Sequence, residues 1–224
     1  MMTRRLFLIA VLTALTSPTF AADRAAKTKV ACVGDSITYG AGIKDRTKTY
    51  PADLQNLLGD QYDVKNFGVS GATLLKKGDK PYDKEKMYKA ARDFKPDIVV
   101  IKLGTNDSKP QNWDKHKDDF AADYKAMIDA FRQANPQVKV YCALPVPVYP
   151  PGAFKIRDEI VKPEIVPLIK KIAEENKCEL IDLYTALSDK PQLFPDKVHP
   201  NEEGAALIAK AVHKALTGKE AATK

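Results

Sequence analysis

Cysteine is scarce in this chain, and its pattern excludes most cysteine chemistry. The 224 residues contain three cysteines, Cys32, Cys142 and Cys178, an odd number without the CxxC spacing of redox and zinc sites. Because Cys32 and Cys142 lie inside apolar segments and Cys178 precedes another, we expect small buried side chains rather than a disulfide framework. A bridge between Cys142 and Cys178 is the alternative for an oxidising compartment.

Long apolar runs are absent beyond the N-terminus. Residues 6–15 form an apolar stretch that follows Arg4 and Arg5 and ends at small residues, which is the layout of a secretory signal. We predict a signal peptide at 1–22, cleaved after Ala21 or Ala22, and a single domain at 23–224, in a secreted or periplasmic protein. The stretch is too short to favour a membrane span, so we expect no stable membrane insertion. An uncleaved membrane anchor is the alternative.

Basic residues outnumber acidic ones, but they are spread over the chain. The formal net charge is +7, yet the chain has no arginine-rich stripe and no basic patch interleaved with aromatic residues. We therefore expect a solvated basic surface and no nucleic-acid partner. The histidines and acidic residues show no metal-binding motif, so we expect no metal and no cofactor. The sequence carries no signal of an oligomeric state.

Short apolar segments alternate with amphipathic ones along the chain. The apolar segments predict strands at 29–33, 64–67, 97–103, 138–144 and 179–183. Residues 98–101 are apolar at successive positions, as in a strand buried on both faces. The amphipathic segments predict helices at 51–58, 84–94, 118–134, 159–175 and 202–216, with a late start or a kink at Pro163 and Pro167. This alternation predicts an α/β fold, a three-layer α/β/α sandwich around a parallel sheet.

A serine follows the first predicted strand, and a possible base for it lies near the C-terminus. Ser36 ends a Gly-Asp-Ser motif at the carboxyl end of a strand, where open α/β sheets hold their ligands. A serine hydroxyl is a weak nucleophile at neutral pH and needs a base that is itself oriented by an acid. His199 and Asp196, three positions apart, can supply both. The sequence therefore favours a serine hydrolase.

Two further motifs follow predicted strands between the Ser36 motif and the Asp196–His199 pair. They are Asn-Phe-Gly-Val-Ser-Gly at 66–71 and Gly-Thr-Asn-Asp at 104–107. With all four motifs in this order, the chain resembles the SGNH hydrolases of the GDSL esterase/lipase family over essentially the whole of 23–224. Ile37 replaces the leucine of the family name, a conservative change. The resemblance implies a flavodoxin-like fold with a five-stranded parallel sheet and a serine esterase that needs no cofactor.

The resemblance also implies a role for each site residue. Ser36 would be the nucleophile, His199 the general base, and Asp196 the acid that orients the imidazole.

Three donors would form the oxyanion hole of this site. They are the Ser36 backbone N–H, the Gly71 backbone N–H and the Asn106 side-chain amide, with Gly68 as the alternative to Gly71. We expect Asp35 and Asp107 to stabilise their loops rather than to take part in chemistry.

The residues around Ser36 and Asn106 resemble those of secreted bacterial carbohydrate O-acetylesterases, of the sialate and acetylxylan types. This resemblance implies short-chain esters, above all acetyl esters, of a small-molecule or glycan substrate. Tyr39, Trp113 and Tyr149 are candidates for contact with a sugar ring, and packing is the alternative for each.

Three other functions compete with this interpretation. A lysophospholipase, lipase or thioesterase of the same family would need an apolar acyl groove, for which the sequence has no apolar surface segment. A metal-dependent phosphoesterase with Asp35, Asn106, Asp196 and His199 as ligands would leave Ser36 without a function. A non-catalytic carbohydrate-binding or cell-envelope protein would not need the intact set of motifs.

Overall fold

Five parallel strands form the central sheet. The computed structural model describes residues 26–221, so the predicted signal peptide at 1–22 lies outside the described residues. The strands are β1 (Thr28–Gly34), β2 (Tyr62–Gly68), β3 (Ile98–Lys102), β4 (Lys139–Ala143) and β5 (Glu179–Ile181). Their order is β2-β1-β3-β4-β5, and every neighbouring pair is parallel. The predicted parallel sheet is confirmed.

Helices connect successive strands. Within residues 26–221 the α-helices are α1 (Ser36–Tyr39), α2 (Tyr50–Leu58), α3 (Lys86–Asp93), α4 (Pro110–His116), α5 (Phe120–Ala134), α6 (Asp158–Ile160), α7 (Val166–Glu175), α8 (Leu183–Leu187) and α9 (Glu202–Thr217). None of the helices in this part of the chain is long and apolar enough to cross a membrane.

Apolar side chains on the two faces of the sheet belong to two separate clusters. Ala31 and Val33 of β1 pack in one cluster with residues of α3, α5 and α7. Val30 and Cys32 of the same strand pack in the other cluster with residues of α2, α8 and α9. Because alternate residues of a strand point to opposite faces, this division places helices on both sides of the sheet. The fold is the predicted three-layer α/β/α sandwich.

The two prolines disturb the fourth predicted helix, as expected. Pro163 lies in a π-helical turn, Val161–Ile165, between α6 and α7. A proline inside a regular helix removes a hydrogen bond and clashes with the preceding turn. Pro167 lies in the first turn of α7, where proline is tolerated.

The cysteines are free thiols. Cys32 and Cys142 are buried and Cys178 is half-buried, and none of the three forms a disulfide. The alternative of a Cys142–Cys178 bridge is therefore wrong for this structure. Burial raises the pKa of Cys32 to about 12, so its thiol stays protonated and unreactive at neutral pH.

The strand order creates a crevice at one edge of the sheet. The chain passes from β1 outward to β2 and then returns to β3 on the other side of β1. At such a reversal the loops that follow the two central strands run in opposite directions, and ligands bind between them. The loops after β1 and β3 carry Ser36 and Asn106.

Candidate active site

Ser36 is the first residue of α1 and follows β1 after a single residue, Asp35. The Asp35 side chain caps this helix by accepting a hydrogen bond from the Ile37 backbone N–H at 2.9 Å. As the first helical residue, Ser36 has a backbone N–H without a partner inside the helix. The short capped helix thus fixes both the hydroxyl and this N–H at the mouth of the crevice.

Glycine is required where α1 packs against the ends of β1 and β2. A Cβ atom at Gly68 would lie 2.1 Å from the backbone nitrogen of Tyr39, and one at Gly34 would lie 2.1 Å from Thr38 Oγ1. Both distances are far below van der Waals contact. The two glycines therefore allow the nucleophile helix to lie directly on the sheet edge.

A buried ion pair lies beneath this helix. Lys102 Nζ, at the end of β3, lies 3.1 and 3.0 Å from the two carboxylate oxygens of Asp35 and 2.8 Å from Thr105 Oγ1. Both charged side chains are fully buried. Burial lowers the pKa of Lys102, and the neighbouring Asp35 carboxylate opposes that shift. The pair joins the loops after β1 and β3, and sequence analysis missed it because Lys102 follows four apolar residues like an ordinary strand end.

His199 connects Ser36 with Asp196. Its Nε2 lies 2.8 Å from Ser36 Oγ and its Nδ1 lies 2.6 Å from Asp196 Oδ2. The other carboxylate oxygen of Asp196 accepts hydrogen bonds from the backbone N–H groups of His199, at 2.7 Å, and Val198, at 3.0 Å. Burial works against ionisation of Asp196, but these hydrogen bonds hold its pKa below the ordinary value. The three side chains form a continuous hydrogen-bonded row.

Asn106 lies in the loop after β3. It begins the 3₁₀ turn Asn106–Ser108, and its Nδ2 donates to the Ala72 carbonyl at 3.1 Å. Because an amide nitrogen carries two hydrogens, one remains for another acceptor. Asn112 Nδ2 donates to the Asn106 carbonyl at 2.9 Å and so fixes the turn.

Backbone hydrogen bonding distinguishes the two glycine candidates, Gly68 at the end of β2 and Gly71 in the loop that follows. Gly68 N–H donates to Asn66 Oδ1 at 2.9 Å, so it is already occupied. Gly71 has a φ of +81°, and within residues 26–221 its N–H has no hydrogen-bond acceptor. A Cβ atom there would meet only Lys80 Cδ, at 3.7 Å. Of the two N–H groups, the one on Gly71 is available to a ligand.

Asp107 fixes the glycine loop to the asparagine loop. Its two carboxylate oxygens accept hydrogen bonds from the backbone N–H groups of Leu74, at 3.0 Å, and Leu75, at 2.8 Å. Burial raises the pKa of Asp107 to about 7, although both hydrogen bonds oppose the shift. This contact matches the loop-stabilising role expected of Asp107.

The three aromatic candidates differ in accessibility. Trp113 is 2% exposed and donates its Nε1–H to Glu164 at 2.8 Å, so packing is its role. Tyr149 is partly buried and donates its hydroxyl to the Leu187 carbonyl at 2.6 Å. Tyr39 is 47% exposed. Phe154, which sequence analysis did not consider, is 61% exposed and lies beside His199.

A groove of about 450 Å³ lies next to His199. Its walls carry polar and charged groups among small residues: Ala41, Gly42, Pro195, Asp196, Pro200, Asn201, Glu202 and Glu203. The lining therefore combines apolar surface with charged groups.

A flavodoxin-like sheet with Ser36 after β1, Asn106 after β3 and His199 before the last helix defines the SGNH class of hydrolases. Residues 32–207 match the model of the GDSL-like Lipase/Acylhydrolase family, and the chain belongs to this family. The predicted family is thus confirmed.

One curated relative is an acetylxylan esterase of Xylanibacter ruminicola. It is 42% identical over 207 residues, which cover 84% of this chain and 43% of the relative. The chain therefore spans less than half the length of that protein.

Solved structures share the fold at lower identity. The carbohydrate acetylesterase Est24 from Sinorhizobium meliloti has a TM-score of 0.70 and 22% identity, covering 86% of this chain and 99% of that one. The aryl esterase of M. smegmatis has a TM-score of 0.70 and 20% identity, with coverage of 86% and 99%.

Proposed function

We propose that this protein is a serine esterase that removes acetyl groups from carbohydrate hydroxyls outside the cytoplasm. The observation that carries the proposal is the row from Ser36 through His199 to Asp196, with contacts of 2.8 and 2.6 Å. Acetyl and sugar specificity is supported by the acetylxylan esterase relative. A location outside the cytoplasm is supported by the signal-peptide pattern of residues 1–22.

In the first half of the reaction, His199 Nε2 takes the proton of Ser36 while Oγ attacks the ester carbonyl carbon. The negative charge on the carbonyl oxygen is stabilised by the N–H groups of Ser36 and Gly71 and by the Asn106 amide. His199 then protonates the sugar oxygen as its bond to the carbonyl carbon breaks. The products are the free sugar hydroxyl and an acetylated Ser36.

In the second half, a water molecule replaces the sugar. His199 takes one proton from this water, whose oxygen attacks the acetyl carbonyl. When the intermediate collapses, acetate leaves and Ser36 recovers its proton from His199. Asp196 keeps the imidazole oriented and stabilises its positive charge in both halves. The cycle consumes one ester and one water, and needs neither metal nor cofactor.

The groove next to His199 lies on the side of the alcohol group, which His199 protonates, and it supports a polar alcohol. The carboxylates of Asp196, Glu202 and Glu203 contribute to its walls, and burying a methylene chain against them would desolvate charged groups. This argues for a sugar rather than an apolar alcohol as the group that leaves from the ester.

The test is hydrolysis of p-nitrophenyl acetate, p-nitrophenyl octanoate and acetylated xylan by the wild type, Ser36→Ala and Ser70→Ala. We expect preference for acetyl esters and release of acetate from xylan. Ser36→Ala should lower kcat by about 10⁴–10⁶-fold, the loss typical of a missing nucleophile. Ser70 is an exposed serine of the neighbouring loop, and its substitution serves as the matched control with near-normal activity.

Three outcomes would contradict this function. Preference for octanoate would indicate a lipase or thioesterase, and inactivation by a chelator would indicate metal-dependent hydrolysis. Equal activity of Ser36→Ala and wild type would remove Ser36 from the mechanism.

A further inference from the structure

Phe154 presents an aromatic ring to solvent beside His199. The side chain is 61% exposed, more than the other large apolar side chains exposed within residues 26–221. Its ring centroid lies 5.5 Å from that of His199, and the two rings meet edge to face at 62°. An exposed phenylalanine gains nothing from solvent, so its position next to the candidate base calls for a ligand that covers it.

The backbone around Phe154 adopts an unfavourable conformation. Phe154 and Lys155 have φ values of +57° and +61°, the left-handed region that bulky residues avoid. Such conformations persist where the surroundings impose them, and they concentrate at ligand-binding and catalytic sites. The phenylalanine ring is exposed, whereas Ile156, two residues further along the chain, is buried.

Both ends of the loop 149–157 are attached to the candidate active site. At one end, Tyr149 N–H donates to the Lys197 carbonyl at 2.9 Å, between Asp196 and His199. At the other end, the Arg157 backbone N–H donates to Ser108 Oγ at 3.0 Å and Arg157 Nε donates to the Ser108 carbonyl at 2.6 Å. Ser108 belongs to the turn that begins at Asn106. The loop that carries Phe154 is thus attached both to the segment of Asp196 and His199 and to the turn of Asn106.

We propose that Phe154 is the platform on which the sugar ring of the substrate stacks. This inference rests on the proposed function, in which His199 protonates the leaving sugar oxygen. Groups beside His199 must therefore face the sugar, whereas the acetyl group lies toward Asn106 and Gly71. The apolar C–H face of a sugar ring matches the exposed face of Phe154. Phe154 is in this way a specificity-determining residue.

The experiment compares two acetyl esters that differ only in the alcohol. Acetylated xylotetraose carries a sugar, and ethyl acetate has an alcohol too small to reach a stacking ring. For Phe154→Ala we expect kcat/KM on the oligosaccharide to fall about tenfold or more, as when a buried phenylalanine contact is lost. The loss should appear mainly in KM, and turnover of ethyl acetate should hardly change.

Two further variants sharpen the comparison. Phe154→Trp keeps an aromatic face and should retain activity on the oligosaccharide. Met87→Ala removes another large exposed apolar side chain, on α3, and should leave the ratio between the two substrates unchanged. Equal losses on both esters in Phe154→Ala would mean that Phe154 only supports His199, and would overturn the platform, as would an unchanged oligosaccharide rate.

Binding measurements separate this inference from the proposed function. Calorimetry with acetylated xylotetraose in the Ser36→Ala background should show weaker binding when Phe154→Ala is added. If the wild type showed no hydrolysis that depends on Ser36, the esterase function would be refuted. Weaker binding of the oligosaccharide after the loss of Phe154 would still support the platform in that case. Absence of oligosaccharide binding in the Ser36→Ala background would overturn the platform, whatever the activity on ethyl acetate.

Discussion

Some residues of this site can be identified from sequence motifs, and others cannot. Ser36 and His199 stand in short motifs with fixed spacing, so both could be proposed as site residues from the sequence alone. Lys102 and Phe154 could not be found in this way. The role of Lys102 depends on a partner 67 positions away, and that of Phe154 depends on a loop conformation that brings it to His199. Neither of these contacts produces a recognisable motif in the residues around Lys102 or Phe154.

Asp107 is the residue whose protonation should affect stability near neutral pH. Burial raises its pKa in the folded protein to about 7 from an ordinary value of 3.8. Between these two values the folded state binds more protons than the unfolded state, so stability falls as pH rises from about 4 to about 7. Above that range the stabilising contribution of the bound proton is absent.

The check is urea unfolding of wild type and Asp107→Asn at pH 5 and pH 8. We expect the wild type to exceed the variant in free energy of unfolding by more at pH 5 than at pH 8. Asp118→Asn, which changes an exposed carboxylate, is the matched control and should show the same difference from the wild type at both pH values. A gap between wild type and Asp107→Asn that widens toward pH 8 would refute the assigned direction.

The strands and helices that could be identified from the sequence are those long enough to show a hydrophobic pattern. The strand at 98–101 was recognisable because burial on both faces requires apolar residues at successive positions. The short helices α1, α4 and α8, of 4, 7 and 5 residues, span two turns or less, so an apolar periodicity cannot develop. Yet α1 carries Ser36, so the element with the most chemistry was among the least predictable.

The packing of α1 on the sheet edge gives a prediction for two glycines, one at the end of β2 and one in the loop that follows. Gly68→Ala would place a Cβ atom 2.1 Å from the Tyr39 backbone nitrogen, so we expect a loss of about 3 kcal/mol or more in unfolding free energy. Gly71→Ala has room but keeps a φ of +81°, which should cost about 1–2 kcal/mol.

Chemical denaturation of both variants measures these costs, with Gly71→Ala as the matched control for the Gly68 substitution. If Gly68→Ala were the milder of the two changes, the close approach of α1 to β2 would be refuted.

At the scale of the whole molecule, β1 and β3 supply side chains to both apolar clusters. Neither cluster can therefore loosen without disturbing the strands that the other one needs. This arrangement favours a single cooperative unfolding transition in the described part of the chain.

Ile128→Ala and Ile208→Ala test this coupling, because each removes a fully buried side chain from one of the two clusters. Each should lower the free energy of unfolding by about 2–5 kcal/mol. The fluorescence of Trp113, which belongs to the first cluster, should change together with far-UV circular dichroism in both variants. Lys210→Ala on the exposed face of α9 is the control. Separate transitions for the two signals would show that the clusters unfold independently.

The contact between Ser36 and His199 joins residues 163 positions apart. The nucleophile and all five strands precede residue 182, whereas Asp196 and His199 come after it. During synthesis on the ribosome, a chain that has reached residue 190 therefore already contains the complete sheet but no base for its serine. The hydrogen-bonded row of Ser36, His199 and Asp196 can form only when the loop before the last helix has been made. A chain truncated before Asp196 would therefore keep the candidate nucleophile but lack the proposed acid and base.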